Sequence, residues 1–126
     1  KVLDYSSGGV LKCQRCQRKS SVIKKTTRIA KYPSVFILAI DRYKDGRKLD
    51  DLVQYQLKMT QDKINYELYA ICHHSGSLRG GHYWADVKSV DHGTWFTAND
   101  SRISATNRER VQGRSTAIIL MYRKST

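Results

Sequence analysis

A short, unbroken apolar run from Val35 to Ile40 is the feature that most constrains the fold. It follows Pro33, which need not donate a hydrogen bond at the start of a strand. A run of this length predicts a strand buried on both faces. Residues 116–124, TAIILMYRK, repeat the pattern near the end of the chain and predict a final buried strand.

Around and between these two runs the chain alternates between strand-like segments and short turns. β-branched and aromatic residues predict strands over 22–30, 64–74, 82–90 and 94–100. Turns are predicted over 44–51, with Asp45-Gly46 at the tip, and over 91–93. Strand following strand through short turns indicates a mostly antiparallel β fold and excludes a doubly wound parallel sheet.

Two segments interrupt this pattern. Residues 104–112, SATNRERVQ, predict a helix, and Ser104 or Thr106 could serve as its N-cap. Residues 75–81, SGSLRGG, predict a loop, because three glycines in seven residues disfavour both helix and strand.

Composition narrows the class of protein. The chain has 126 residues, which suits one domain or part of a larger one, and its net charge is +12. A basic chain favours acidic partners, but its positive residues are spread along the sequence. Core packing is the favoured role of the aromatic residues in strand-like contexts, namely Tyr55, Tyr66, Tyr69, Tyr83, Trp84 and Trp95. Nothing specific therefore supports nucleic acid as a partner, and no apolar stretch is long enough for a membrane helix.

The three cysteines, Cys13, Cys16 and Cys72, are an odd number. An odd number argues against a secreted disulfide framework and predicts an intracellular, reducing location, cytoplasmic or nuclear.

Chemistry is concentrated in residues 73–85, HHSGSLRGGHYWA. The Leu78-Arg79-Gly80-Gly81 stretch has the sequence of a ubiquitin-like tail, but it lies between two predicted strands, where cleavage would remove core strands. His82, after two glycines, is instead a candidate general base. Such a base needs a third group to orient its ring, and either Asn99 or Asp100 could accept a hydrogen bond from it. A lone histidine is more often structural, so the spacing by itself is a weak signal.

The whole segment resembles the histidine box of the ubiquitin-specific proteases. The matching residues are Tyr66-Glu67-Leu68-Tyr69-Ala70, His74-Ser75-Gly76, Gly81-His82-Tyr83, Trp95 and Asn99-Asp100-Ser101. Upstream, CQRC resembles the second Cys-x-x-Cys of that family, and YPSVFILAIDRY and GRKLDDLVQYQL resemble the elements that follow it. These matches run in the family's order from Cys13 to the last predicted strand.

The resemblance implies an α+β, papain-like cysteine protease fold, of which this chain forms the mainly antiparallel β palm and fingers. Residues 1–31 would be a remnant of the fingers, and residues 32–126 the palm sheet with the histidine box. His82 would be the general base, Asn99 its orienting residue and Asp100 a further support. The substrate-binding residues would be His74, Ser75, Gly76, Gly80, Gly81 and Tyr83.

Two parts of the family pattern are not in this sequence. The box that carries the nucleophilic cysteine is absent, and Cys72 in mid-strand is better interpreted as a small buried thiol. Cys13 and Cys16 supply two thiolates, whereas a structural zinc needs four ligands, so only half of a zinc site is expected.

The sequence therefore predicts part of a deubiquitinase that hydrolyses the bond after the C-terminal glycine of ubiquitin. A complementary polypeptide, upstream or in another chain, would carry the catalytic cysteine. The alternative is a catalytically inactive module that binds ubiquitin or scaffolds a complex.

Overall fold

The computed structural model describes residues 2–4, 11–20, 24–77 and 79–125, with side chains for 12–19, 27–77 and 79–125. The chain divides into two compact units, Lys1–Lys31 and Tyr32–Thr126. Of the helices described, none has the length and apolar character needed to cross a membrane.

The first unit consists of two short antiparallel pairs. Strand β1 (Val2–Asp4) pairs with β4 (Lys24–Thr26), and β2 (Leu11–Lys12) pairs with β3 (Lys19–Ser20). The strand predicted over 22–30 is thus observed at Lys24–Thr26. Residues 27–30 are not in a strand, and 21–23 lie outside the described part.

The second unit is built on one seven-stranded sheet. Its strands are β5 (Val35–Ala39), β8 (Lys58–Gln61), β9 (Ile64–Ser77), β10 (Gly80–Lys88), β11 (Trp95–Asn99), β12 (Arg102–Thr106) and β13 (Ala117–Lys124). Their order is β12-β11-β10-β9-β13-β5, and β8 also pairs with β9. Every pairing described is antiparallel, as the alternation of strands and turns predicted.

A separate hairpin joins β6 (Tyr43–Lys44) to β7 (Arg47–Lys48). Its tip is the predicted Asp45-Gly46 turn, where both residues have positive φ, 50° and 73°. This backbone is that of a type I′ turn, whose twist matches that of paired strands.

The prediction that Val35–Ile40 is buried on both faces is wrong. Val35, Ile37 and Leu38 remain 42%, 60% and 37% exposed in β5. The reason is topological: within the described part of the chain, β5 is the last strand of the sheet and pairs with β13 alone. An apolar run shows that a segment is hydrophobic, but it does not by itself indicate how many strands pair with that segment.

The predicted loop over 75–81 is also wrong. Strand β9 continues to Ser77, β10 starts at Gly80, and these two residues pair with each other. The connection is reduced to positions 78 and 79, of which Leu78 lies outside the described residues. Ladder hydrogen bonds from both strands offset the conformational cost of the glycines.

The helix is shorter than predicted. Helix α1 spans Arg108–Gln112, and its N-cap is Asn107, whose side chain accepts a hydrogen bond from the Arg110 amide at 3.0 Å. Ser104 and Thr106, the predicted caps, belong to β12 instead. Pairing with β11 holds these residues in the extended conformation, so Asn107, the first residue after the strand, serves as the N-cap.

The core is a cluster of buried side chains from the central strands and helix α1. Its buried members are Tyr66, Leu68, Ile71, Trp95, Val111, Ala117, Leu120 and Tyr122. The predicted core roles of Tyr66 and Trp95 are confirmed, but Tyr83 is 59% exposed. Burial also raises the pKa of Tyr55 to about 12, and its hydroxyl donates to the Val111 carbonyl at 2.6 Å.

Arg42 is a buried cation that the sequence did not single out. Its guanidinium donates to the carbonyls of Ala117 at 2.6 Å, Leu49 at 2.9 Å and Asp51 at 2.8 Å. It therefore connects the start of β13 to the chain that follows the β6–β7 hairpin.

A second buried polar group is centred on Asp86, which is fully buried in β10. Its Oδ2 lies 2.9 Å from both His73 Nε2 and Arg114 Nε, and its Oδ1 accepts from Thr97 Oγ1 at 2.6 Å. On the far side of the ring, His73 Nδ1 lies 3.1 Å from Thr116 Oγ1. Burial opposes ionisation of Asp86, but the bonds from His73 and Thr97 and the nearby positive charges outweigh it, so its pKa is lowered.

Replacing Arg42 with methionine should strongly destabilise the protein. Three carbonyls lose their donor, so we expect the free energy of unfolding to fall by about 2–4 kcal/mol, measured by urea denaturation. Arg47→Met, on the exposed hairpin, removes a similar side chain and should change stability by less than about 0.5 kcal/mol. Equal losses in the two variants would contradict the role given to Arg42.

The Asp86 cluster predicts a specific acid sensitivity. Because the folded-state pKa of Asp86 is lowered, its ionisation stabilises the fold above its unfolded pKa of about 4. This stabilisation is lost as the pH falls through the folded value. We expect Asp86→Asn to start less stable at neutral pH but to lose less stability between about pH 5 and pH 2 than the wild type. Urea midpoints measured across this range test the slope. Asp91→Asn, in an exposed turn, should follow the wild-type slope, and a parallel Asp86→Asn curve would refute the assignment.

Candidate active site

His82 is the third residue of β10 and faces Ser75 across the β9–β10 ladder. Its side chain is 47% exposed, so the ring is supported by the sheet but open to a substrate. The pairing positions the histidine on a regular strand, which holds a functional group more firmly than a loop would.

Asn99 is the last residue of β11, the strand beside β10. The antiparallel register brings its side chain back toward His82, and Asn99 Oδ1 lies 2.5 Å from His82 Nε2. Because an amide oxygen only accepts, Nε2 carries the proton and Nδ1 keeps its lone pair. Within the described residues no hydrogen bond is made to Nδ1, so this nitrogen is available to take a proton.

Asp100 lies next to this pair but does not hydrogen-bond to the ring. Its Oδ2 is 4.0 Å from His82 Nε2, and its side chain is 79% exposed. Its φ of 51° places it in the turn between β11 and β12. Of the two orienting residues that the sequence left open, the geometry brings Asn99 into contact, and Asp100 contributes only its nearby charge.

Close packing of backbones explains two of the glycines. A Cβ at Gly81 would meet the His74 ring and the Ser75 carbonyl, and a Cβ at Gly76 would meet the Gly80 carbonyl at 2.6 Å. Gly76 also has a φ of 113°. These glycines let the two strands approach each other beside His82, where Ser75 and Gly80 also lie.

His74 lies on the other face of the same hairpin. Because side chains alternate between the two faces of a strand, His74 shares its face with Tyr83, its cross-strand partner. The centroids of the His74 and Tyr83 rings are 4.5 Å apart. His74 is buried, its Nδ1 is 3.4 Å from the Tyr43 hydroxyl, and its carbonyl accepts from Lys48 Nζ at 2.7 Å. The structure therefore does not bring the side chains of His74 and Tyr83 together with the ring of His82.

Two rings that the sequence had not assigned to the site lie close to His82. Trp84 stacks on His82 with centroids 5.9 Å apart, and His73 stacks on Trp84 with centroids 5.3 Å apart. The signal in the sequence was the spacing of two between His82, Trp84 and Asp86, which places all three on one face of a strand.

Cys72 is not placed to serve as the nucleophile. It pairs with Ala85, so it faces away from the side of the hairpin that carries His82. Burial raises the pKa of its thiol, which disfavours the reactive thiolate.

Cys13 and Cys16 lie on the turn between β2 and β3, in the first unit. The Cys16 amide donates to Cys13 Sγ at 3.5 Å, and the amide of Gln17, whose φ is 60°, donates to the Cys13 carbonyl at 2.9 Å. Backbone hydrogen bonds from Cys16 and Arg15 lower the pKa of Cys13. In the part of the chain that the structure describes, no third histidine, cysteine or carboxylate completes a metal cluster there.

Comparison with known proteins identifies the family. The family model described as ubiquitin carboxyl-terminal hydrolase matches residues 2–122. Ubiquitin carboxyl-terminal hydrolase 2 from Bos taurus is 33% identical over 123 residues, which are 87% of this chain and 20% of that protein. Ubiquitin carboxyl-terminal hydrolase 9 from Arabidopsis thaliana is 30% identical over 126 residues, 89% of this chain and 14% of that protein. The chain thus spans about a fifth or less of these relatives.

Solved structures show the same fold. A chain of the SAGA DUB module of Ubp8, Sgf11, Sus1 and Sgf73 bound to monoubiquitin superposes with a TM-score of 0.85 at 29% identity, covering 100% of this chain and 30% of that one. The same module bound to ubiquitin aldehyde gives a TM-score of 0.83 at 29% identity, covering 100% and 31%. The predicted papain-like, mainly antiparallel fold is therefore confirmed. The chain belongs to the ubiquitin carboxyl-terminal hydrolase family, within its ubiquitin-specific protease branch.

Proposed function

We propose that this chain is the base-bearing part of a deubiquitinase, a thiol-dependent hydrolase of the bond after the C-terminal glycine of ubiquitin. The observation that carries the proposal is the 2.5 Å contact between His82 Nε2 and Asn99 Oδ1. It holds the imidazole in the tautomer whose free Nδ1 can remove a proton from a thiol.

The nucleophile comes from a complementary polypeptide segment. That segment would bring its cysteine to the Nδ1 side of His82, and the ring would take the thiol proton and later return it to the leaving amine. Cys72, with its raised pKa and its side chain on the other face, does not take this role. By this assignment the chain alone does not hydrolyse ubiquitin.

The substrate would approach along the open edge of the β9–β10 hairpin. Gly80 and Gly81 carry no side chains there, and Ser75 lies opposite His82, so an extended glycine-rich tail could lie close to the backbone. His74 and Tyr83 would act from the opposite face. There the buried His74 ring supports the hairpin, and the exposed Tyr83 ring could contact ubiquitin.

Zinc is proposed for the turn that holds Cys13 and Cys16. The amide donated to Cys13 Sγ and the lowered pKa of Cys13 favour a thiolate, which is the form that binds zinc. These residues fit one half of a tetrahedral structural site, and the other two ligands would come from elsewhere. The free thiols also suit an intracellular location, in the cytoplasm or nucleus.

Replacing His82 with alanine should abolish hydrolysis without abolishing ubiquitin binding. Loss of a general base costs at least about 10²-fold in kcat. Release of a fluorogenic amide from the ubiquitin C-terminus by the full-length protein measures activity, and titration calorimetry measures binding. Asn99→Ala should fall between wild type and His82→Ala, because the base remains but loses its orienting partner.

His92→Ala is the matched control, since His92 is an exposed histidine in the turn after β10. It should retain wild-type activity. Activity that survives His82→Ala would overturn the proposed base. A full-length protein that binds ubiquitin but never hydrolyses it would instead support the catalytically inactive binding module.

Metal content tests the half site. We expect Cys13→Ser in the full-length protein to lower bound zinc from about one equivalent to well below it, because one of four ligands is lost. Elemental analysis of the purified protein gives the stoichiometry. Cys72→Ser should keep its zinc, and a wild-type protein that contains no zinc would refute the assignment.

A further inference from the structure

Three aromatic rings are in stacked contact on one face of the β9–β10 ladder. His82 and Trp84 lie on the same face of β10, and Trp84 pairs with His73 on β9. The centroids are 5.9 Å apart between His82 and Trp84 and 5.3 Å apart between Trp84 and His73, with interplanar angles of 20° and 16°. The stack runs from the half-exposed candidate base to a fully buried ring.

The outer ring needs this support. The hydrogen bond that His82 Nε2 donates to Asn99 Oδ1 fixes the position of one ring atom but leaves the ring plane free to tilt. Asp100 lies 4.0 Å away and is largely exposed, so it adds charge but little orientation. A flat surface under the ring supplies the missing constraint, because tilting would break the parallel contact with the indole.

The inner ring is rigid. His73 is fully buried, and both of its nitrogens have partners, Asp86 Oδ2 at 2.9 Å and Thr116 Oγ1 at 3.1 Å. Asp86 is in turn held by Thr97 and Arg114. The indole of Trp84 thus contacts both a ring with fixed partners and the ring of the candidate base.

We propose that Trp84 is a positioning residue for His82, with His73 and Asp86 as its buried support. The proposal rests on the proposed function, in which His82 acts as the base. When the cysteine S–H gives its proton to Nδ1, the sulfur becomes a thiolate and the imidazole becomes a cation. The electron-rich face of Trp84 then stabilises that cation as well as orienting its ring.

Two substitutions distinguish the contribution of the bulk of the Trp84 side chain from that of its aromatic face. Trp84→Leu keeps much of the apolar bulk and removes the aromatic face, whereas Trp84→Phe keeps a smaller face. Val87→Ala is the control, because Val87 is a half-buried residue of the same strand that points to the opposite side.

Steady-state hydrolysis of a ubiquitin C-terminal fluorogenic amide by the full-length protein gives kcat and KM for each variant. We expect Trp84→Leu to lower kcat about tenfold and leave KM within about twofold, because orientation and charge act on the chemical step. Trp84→Phe should recover kcat to within about threefold of wild type, and Val87→Ala should retain it.

Spectra of the full-length protein labelled with ¹³C-histidine supply a readout independent of activity. The His82 ring signal, assigned by its loss in His82→Ala, should be sharp in wild type and Trp84→Phe and broadened by ring motion in Trp84→Leu. Equal kcat in Trp84→Leu and Trp84→Phe would overturn the proposal, since bulk alone would then suffice. A rise in KM with kcat unchanged would also overturn it and make Trp84 a substrate contact.

The two proposals fail in different ways. If the His82→Ala variant is active, His82 is not the base, and the function proposed above fails with it. If His82→Ala is inactive but Trp84→Leu is fully active, His82 remains the base and only the positioning role of Trp84 is refuted.

Discussion

The long antiparallel pairing of β9 with β10 is the constraint on which the rest of the second unit depends. Strand β9 runs from Ile64 to Ser77 and also pairs with β8 and β13, so it joins the core strands to the hairpin of the site. The register of this pairing decides which residues share a face. A slip of one residue would move His82 and Trp84 away from Asn99 and His73.

This register separates the hairpin into two faces with different roles. One face carries the ring of His82 and the aromatic stack beside it. The other carries His74 and Tyr83, packed near the β6–β7 hairpin through Tyr43 and Lys48. His73 and His74 are adjacent in the sequence but make contacts on opposite faces of the hairpin, because neighbouring side chains on a strand point in opposite directions.

The sequence predicted the antiparallel class and most of the strands, because these follow from local pattern. Spacing alone left both Asn99 and Asp100 open as the partner of His82, and only the resemblance to the family favoured Asn99. The sequence did not predict the exposure of β5, which depends on the strand's place at the sheet edge. The prediction of a loop over Ser75–Gly81 was wrong. Glycine content indicates conformational freedom, but it does not reveal the β9–β10 hydrogen bonds that hold these residues in strands. The buried contacts of Arg42 and Asp86 were also missed, since their partners are distant in sequence and no spacing reveals them.

The buried Asp86 cluster connects stability with the site. Burying a carboxylate is unfavourable, and here the cost is offset by His73, Thr97 and Arg114, which come from three separate parts of the chain. Such a cluster forms only when all these segments have reached their final register, so it stabilises one arrangement of the sheet relative to arrangements with slipped strands. Because the His73 ring is held in this cluster and also supports Trp84, the contacts that select the fold also fix the surface on which His82 rests.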